Sequence, residues 1–352
     1  MPSPYSFPQM LENTLPYYRK VVDAGDNVLI ISDTNVEDDV AQVFSAAARV
    51  CDAKPTIMII TPLERDYSNP PDMVMQAGEA ADVIHYAAST ALVHSQFGSR
   101  MAAAHKRRIN SDNIDARQLV FGAINANQEE LLKWRGKIDK YWESGKRVHV
   151  TSALGTDLWI DIDGRKPYIV GQKYRHVQFP GGEATIAPIE HTAEGVLYVD
   201  RAAHFIGNIR VPVKLTLEKG RITKIEGGDE AYRFERWLKK YSDENGYRIS
   251  ELAVGTNPEA FFMGSMRQDR FILGSSHVGF GLNKDVGGVQ DSNIHYDCIY
   301  ACPTIDVDGT IIVDKGKIVA CLVQGCDIGS WISALVVRLN QKDPVKLAEA
   351  AH

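Results

Sequence analysis

Two short and almost wholly apolar runs, Val28-Leu-Ile-Ile-Ser32 and Thr56-Ile-Met-Ile-Ile-Thr61, constrain this chain more than any other feature. Runs this short and this apolar mark strands covered on both faces, the situation inside a parallel sheet with helices on each side. The segments around them carry helical spacing. Met10–Ala24 brings Leu11, Leu15, Val21 and Val22 onto a repeating face before Gly25-Asp-Asn breaks it, and Asp38–Cys51 reads as the next helix. Gly78–Asp82 leads into a third strand at Val83-Ile84, with Thr90–His94 at a strand-to-loop junction. Gln128–Gly145 has the pattern of an amphipathic helix with Glu129, Glu130, Lys133, Lys137 and Lys140 outward. Alternation at this pitch predicts an α/β layer domain with a parallel sheet.

After about residue 148 the texture changes. Short strand-like runs separated by Gly, Asp and Pro take over: Val148–Thr151, Leu158–Asp163, Gly195–Val199, Val211–Leu217 and Ile222–Glu226. Lys214–Glu226, with Glu218-Lys-Gly-Arg221 as its turn, reads as a hairpin. One helix is expected at Glu230–Ser242, where Phe234, Trp237 and Leu238 share a face. The fold class is therefore α/β, with an α/β domain over 1–148 and a mixed, β-rich domain over 149–352.

Composition narrows the function. The 39 basic and 45 acidic residues leave a net charge of −6, which argues against a surface built for nucleic acid. The basic run His105-Lys-Arg-Arg108 reads as a solvated helix end. No stretch approaches the roughly 18 apolar residues that span a bilayer, so no membrane partner is expected. The N-terminus has neither the basic nor the apolar region of a signal peptide. Among the five cysteines, Cys298/Cys302 and Cys321/Cys326 lack zinc-ribbon spacing, and reduced thiols in a cytoplasmic protein are expected.

Carboxylates and histidines of the second half fall beside glycine or small residues: Glu183 after Gly181-Gly182, Glu251 before Gly255-Thr-Asn-Pro258, His277 within Gly274-Ser-Ser-His-Val-Gly-Phe-Gly281. In Ile294-His295-Tyr296-Asp297 the period of a strand puts His295 and Asp297 on one face, within reach of one ion. Imidazole nitrogen with carboxylate oxygen suits Zn, Co, Mn or Fe(II). Taken singly, each residue has a plain structural explanation, such as a solvated edge glutamate. Taken together, ligands from separate loops are how two-metal hydrolytic centres are assembled. His85, His105, His149, His176, His191 and His204 fall outside these segments and read as surface or core residues.

At these residues the chain resembles the metalloaminopeptidases of peptidase family M29. Gly182-Glu183-Ala-Thr-Ile-Ala-Pro188 is similar to that family's first glutamate motif and Glu251-Leu-Ala-Val-Gly255-Thr-Asn-Pro258 to its second. Ser276-His277-Val-Gly-Phe-Gly281 is similar to its first histidine motif and His295-Tyr-Asp297 to its final pair. The resemblance implies two divalent ions held by Glu183, Glu251, His277, His295 and Asp297. One departure is Lys284, which stands where that family has a tyrosine. The chain also resembles the related 2,5-dihydroxypyridine 5,6-dioxygenases, which are mononuclear Fe(II) enzymes. Leu215–Gly228 carries that likeness, and Leu92-Val-His94-Ser95 resembles the place of their catalytic histidine. Their iron triad maps to His295, Asp297 and position 251, where this chain has glutamate in place of histidine.

Two activities follow as expectations. The first is a metal-dependent, aminopeptidase-like hydrolase cleaving a peptide or amide bond. There, two Zn, Co or Mn ions polarise the carbonyl and acidify a bridging water. Glu251 is shared between the ions, Glu183 is ligand or general base, and His94 contacts substrate or supplies a proton. The alternative is a mononuclear Fe(II) ring-cleaving dioxygenase of the 2,5-dihydroxypyridine type. Either takes a small-molecule or short-peptide substrate, and the relatives imply a homodimer.

Overall fold

The computed structural model describes residues 4–168, 176–203 and 206–319. Cys321, Cys326 and His204 lie outside the described residues. The first part runs α1 (Phe7–Val21), β1 (Asn27–Asp33), α2 (Asp38–Val50), β2 (Lys54–Ile60), α3 (Asp72–Ala80), β3 (Val83–Tyr86), α4 (Gln96–Ala103), β4 (Arg107–Asn110) and α5 (Gln128–Ser144). The apolar runs are strands and the segments of helical spacing around them are helices, but only β1 is covered on both faces: β2 is the sheet's edge strand, and Ile59 lies at the surface. α3 is a helix with only Val74 and Gly78 buried, too little apolar periodicity to stand out in sequence.

The second part continues with β5 (Arg147–Thr151), β6 (Asp157–Asp161), β7 (Pro167–Tyr168), β8 (His176–Gln178), β9 (Glu183–Ile186), β10 (Glu194–Val199), β11 (Ala202–Ala203) and β12 (Gly207–Asn208). Then come β13 (Val213–Glu218), β14 (Arg221–Glu226), α6 (Asp229–Lys239), β15 (Ile249–Gly255) and the single turn α7 (Met266–Asp269). β16 (Ser276–Gly281), β17 (His295–Tyr300), β18 (Thr304–Val307), β19 (Thr310–Asp314) and β20 (Lys317–Ile318) complete the described chain.

Three sheets result among the described residues. The first is parallel in the order β2-β1-β3-β4-β8. Its last strand comes from the second part and pairs Arg108 with His176 and Asn110 with Gln178. The other two are antiparallel, β14-β13-β10-β6-β5-β18-β19-β20 and β12-β11-β17-β16-β15-β9-β7. They pack face to face around a core that takes Val148, Leu158, Leu197 and Leu215 from one sheet and Leu252, Val278, Phe280 and Tyr296 from the other. The molecule is mixed α/β: helices flank a parallel sheet, and a β-rich part follows.

The basic run at residues 105–108 is not a solvated helix end. Arg107 and Arg108 open β4, and Arg108 is only 8% exposed. Ile109, the next residue, fills the core on the opposite face, so the alternation of a half-buried strand was present beneath the charge. Among the described residues no helix is long and apolar enough to cross a membrane.

Candidate metal centre

Period two on three neighbouring strands builds the centre. Leu252, Val254, Val278, Phe280, Tyr296 and Cys298 point into the sandwich core, which sends Glu251, His277, His295 and Asp297 to the other face. The register places Glu251, Gly279 and Asp297 in one row across β15, β16 and β17. A Cβ at Gly279 would sit 2.7 Å from the Glu251 Cβ and 3.3 Å from Asp297 Oδ1. The hollow at the middle of the row is what lets two carboxylates lean towards each other. A register shift between Ile249 and Glu251 re-aims β15 at this point. Glu183 joins from β9, whose pairing sets it opposite Gly255.

The five residues form two overlapping sets, Glu183–Glu251–His277 and Glu251–His295–Asp297, each with ligand atoms within 4.8 Å of one another. Glu251 belongs to both. Its Oε1 lies 3.2 Å from His277 Nε2 and its Oε2 lies 3.5 Å from His295 Nε2. His295 Nδ1 lies 2.8 Å from the Leu282 carbonyl, which only accepts, so Nδ1 carries the proton and Nε2 is aimed at Glu251 and Asp297. Glu183 Oε2 and Asp297 Oδ1 are buried without a hydrogen-bond partner. Orphaned carboxylate oxygens beside an imidazole nitrogen fit a divalent cation, because burying them unpaired is costly.

A fixed cation also sits here. Arg270, just after α7, donates from Nη1 to Asp297 Oδ2 at 2.9 Å, and its Nε lies 3.7 Å from Glu183 Oε2. Burial alone would raise the Asp297 carboxyl, but His277, His295 and Arg270 hold it well below the usual carboxylate range. Burial raises Glu183 despite Arg270 and His277. Burial alone would lower His295, yet the hydrogen bond and charge of Asp297, with Glu251 and Asp285, push it up to about 10. A metal entering at His295 Nε2 must therefore displace a proton. Metal binding is expected to strengthen about tenfold per pH unit over roughly pH 6 to 9, as release of one proton requires. Zinc titration against a competing chelator at several pH values reads this directly. An affinity flat in pH would count against Nε2 as a ligand.

The centre opens onto a cavity of about 350 Å³ whose walls come from both parts of the chain. Glu183, Glu251, His295 and Asp297 line one side, whereas His277, fully buried, does not reach it. Facing them are the C-terminal ends of β4 and β8 and the loop before α4, where open parallel sheets hold ligands. His94 lies on that loop with its ring centroid 5.0 Å from that of His295. The loop is tied: Ser95 Oγ donates to the Leu92 carbonyl at 2.7 Å and accepts from the Gly98 amide at 3.0 Å, capping α4. A Cβ at Gly98 would strike the Val93 carbonyl at 2.2 Å, so glycine is needed for the cap to close.

Several residues that sequence reading passed over belong here. Asp285 makes the hydrogen bond to His94 Nδ1, leaving His94 Nε2 without that partner. The Arg267 Nε donates to the Asp112 carbonyl at 2.8 Å, and Arg267 Nη2 stands 3.6 Å from Asp112 Oδ2. Gln178, with its amide oxygen turned inward, accepts from Arg267 at 2.7 Å and from Arg270. Tyr67 donates to the His295 carbonyl at 2.7 Å. Arg108 and His176 line the far wall. Arg108 ended the flagged basic run and was within reach of a reading by strand periodicity, whereas Asp285 sits in the single turn Lys284–Val286, which has no period to read. Lys284 itself forms a 2.8 Å surface pair with Asp291 and does not line the cavity, so the position of the aminopeptidase tyrosine supplies no group to this centre.

Known proteins are similar to this chain in sequence and in fold. The profile of the 2,5-dihydroxypyridine 5,6-dioxygenase family matches residues 9–320. The 2,5-dihydroxypyridine 5,6-dioxygenase of Pseudomonas putida strain KT2440 is 28% identical over 200 residues, 51% of this chain and 55% of that protein. The aligned part thus spans about half the length of that relative. Among solved structures, the 2,5-dihydroxypyridine dioxygenase of Pseudomonas putida KT2440 superposes with a TM-score of 0.76 at 21% identity, covering 90% of this chain and 99% of that one. Wild-type AmpT from Thermus thermophilus, on the aminopeptidase side, gives 0.63 at 14% identity, covering 89% and 100%. The two structures share the fold, and the profile match over most of the chain goes further: the chain belongs to the 2,5-dihydroxypyridine 5,6-dioxygenase family.

Proposed function

We propose that the protein is an Fe(II)-dependent dioxygenase that opens a hydroxylated nitrogen-containing or carbocyclic aromatic ring, with Glu251, His295 and Asp297 as the metal ligands. The observation that carries this reading is the position of Arg270. Its guanidinium lies against both Glu183 and Asp297, so positive charge is already fixed on the side where a second ion would sit. One three-residue set remains facing the cavity, and a facial set of three ligands leaves positions open for substrate and dioxygen. Glutamate at position 251 makes the set one histidine and two carboxylates, more anionic than two histidines and one carboxylate. Membership of the dioxygenase family supports the same choice.

Iron(II) bound there would supply the redox chemistry that lets a ring react with dioxygen, both oxygen atoms ending in the opened product. The protein's own work is orientation and proton handling. His94, held by Asp285 through Nδ1, is placed to accept a ring hydroxyl proton at Nε2. Ala91, Val93, Ala102, Met266 and Val286 give the cavity apolar walls that keep bulk water from the ring. A volume near 350 Å³ suits a single substituted ring.

The hydrolase reading keeps one observation in its favour, the sharing of Glu251 between two ligand sets. Metal content separates the two. Protein purified without chelators and reconstituted anaerobically is expected to hold one iron per chain and to consume one dioxygen per ring opened, across a panel of dihydroxypyridines and catechols. Two zinc, cobalt or manganese ions per chain, with amide hydrolysis and no oxygen uptake, would overturn the proposal.

A further inference from the structure

We propose that the ring taken by this cavity carries a carboxylate, and that Arg108, with His176 beside it, binds that group on the wall facing the candidate ligands. The inference deepens the ring-cleavage reading and rests on it for the identity of the ring. The anion site rests on geometry alone.

Arg108 and His176 are register partners on the parallel strands β4 and β8. Ile109 turns to the core behind the sheet and Val177 packs against it. Period two therefore sends Arg108, Asn110, His176 and Gln178 forward together, and all of them line the cavity. Arg108 is 8% exposed, its Nε has no hydrogen-bond partner, and among the described residues no carboxylate lies within ion-pair distance of it. The other guanidinium groups of the cavity are answered: Arg267 by Asp112, and Arg270 by Asp297 and Glu183. Arg108 is thus the one guanidinium lining the cavity, among the described residues, with no carboxylate within ion-pair distance.

A guanidinium held away from water without an anion is costly, and the cavity is where an anion can reach it. Its planar fork matches a carboxylate through two parallel hydrogen bonds. His176 Nε2 is likewise buried and unpartnered. Burial, helped by the Arg108 charge, pushes the His176 imidazole down to about 3, so it remains neutral and adds a hydrogen bond without a second charge. The two walls then divide the substrate: ring oxygens go to the metal side, and the carboxylate goes to β4 and β8.

The test compares nicotinate with nicotinamide, which share ring, ring nitrogen and size and differ in charge. Binding to the full-length protein loaded with zinc, which takes no part in oxygen chemistry, is read by titration calorimetry. Wild type is expected to prefer nicotinate at least about tenfold. Arg108→Met should erase the preference, and Arg108→Lys should keep part of it. Thermal melting of both variants confirms the fold, with Arg108→Lys serving if Arg108→Met does not fold. Equal affinity of the two rings in wild type, or a preference that survives Arg108→Met, overturns the proposal. On the iron form, oxygen uptake with 2,5-dihydroxypyridine and with its ring carboxylate separates this outcome from the reading beneath it. Arg108-dependent nicotinate binding with no ring opened would sink ring cleavage and leave the anion site standing. Ready opening of the uncarboxylated ring without nicotinate preference would do the reverse.

Discussion

Replacing Asp297 by alanine is expected to remove metal binding, turnover and a measurable part of the fold's stability in one step. Asp297 faces the candidate site through Oδ1, 3.3 Å from His295 Nε2, and receives Arg270 through Oδ2. Without it the set that opens on the cavity has two members, and Arg270 is left buried with Glu183, 3.7 Å away, as its one carboxylate partner. Removing one partner of a buried ion pair costs about 3–5 kcal/mol, because the survivor stays desolvated. Asp297→Asn separates the two effects: it keeps an oxygen for Arg270 while losing the charge that draws the metal. Elemental analysis and urea midpoints on both variants give the readout. Both should hold less than roughly a tenth of the wild-type metal, with the larger stability loss in the alanine variant. Asp297→Asn with full metal and full turnover would remove Asp297 from the ligand set.

The second large effect is at His94. Its replacement by alanine is expected to lower kcat by about 10²–10⁴ while metal content stays at the wild-type level, the signature of a lost proton acceptor. Asp285 acts through His94, since its carboxylate fixes which ring nitrogen faces the cavity. Asp285→Asn should therefore cost less than the loss of His94, and the double variant should cost no more than His94→Ala alone. Groups acting as a unit show this non-additivity, and independent contributions would multiply. If His94→Ala stays within about threefold of wild type, the proton passes by another route.

What could be read in advance followed the range of the forces involved. β1, β2 and the helices α1, α2 and α5 were legible because apolar spacing is a local property. His295 and Asp297 were legible as a pair because alternation along one strand is local too. The convergence of Glu251 on them was readable only through the family resemblance, since physically it depends on Gly279 in a third strand and on a register shift. Arg270 and Arg267 were invisible for the same reason: their partners Glu183, Asp297 and Asp112 are brought to them only by tertiary folding. At Arg108 the error ran the other way, because a run of like charge outweighed the alternation beneath it. The balance between the two activities also shifted. The five candidate ligands in order suggested two ions, and Arg270 supplies a positive charge that ligand counting leaves out.

β8 gives the chain a particular order of assembly. Its residues pair with β4 across 68 positions, so as the polypeptide leaves the ribosome β4 stands as a raw edge until β5, β6 and β7 have been made. Unpaired edges invite association with other chains, and a nascent sheet ending at β4 is the vulnerable species on this route. Pairing of β8 closes that edge and sets His176 beside Arg108. The strand that completes the sheet is thus also the one that completes the anion-facing wall.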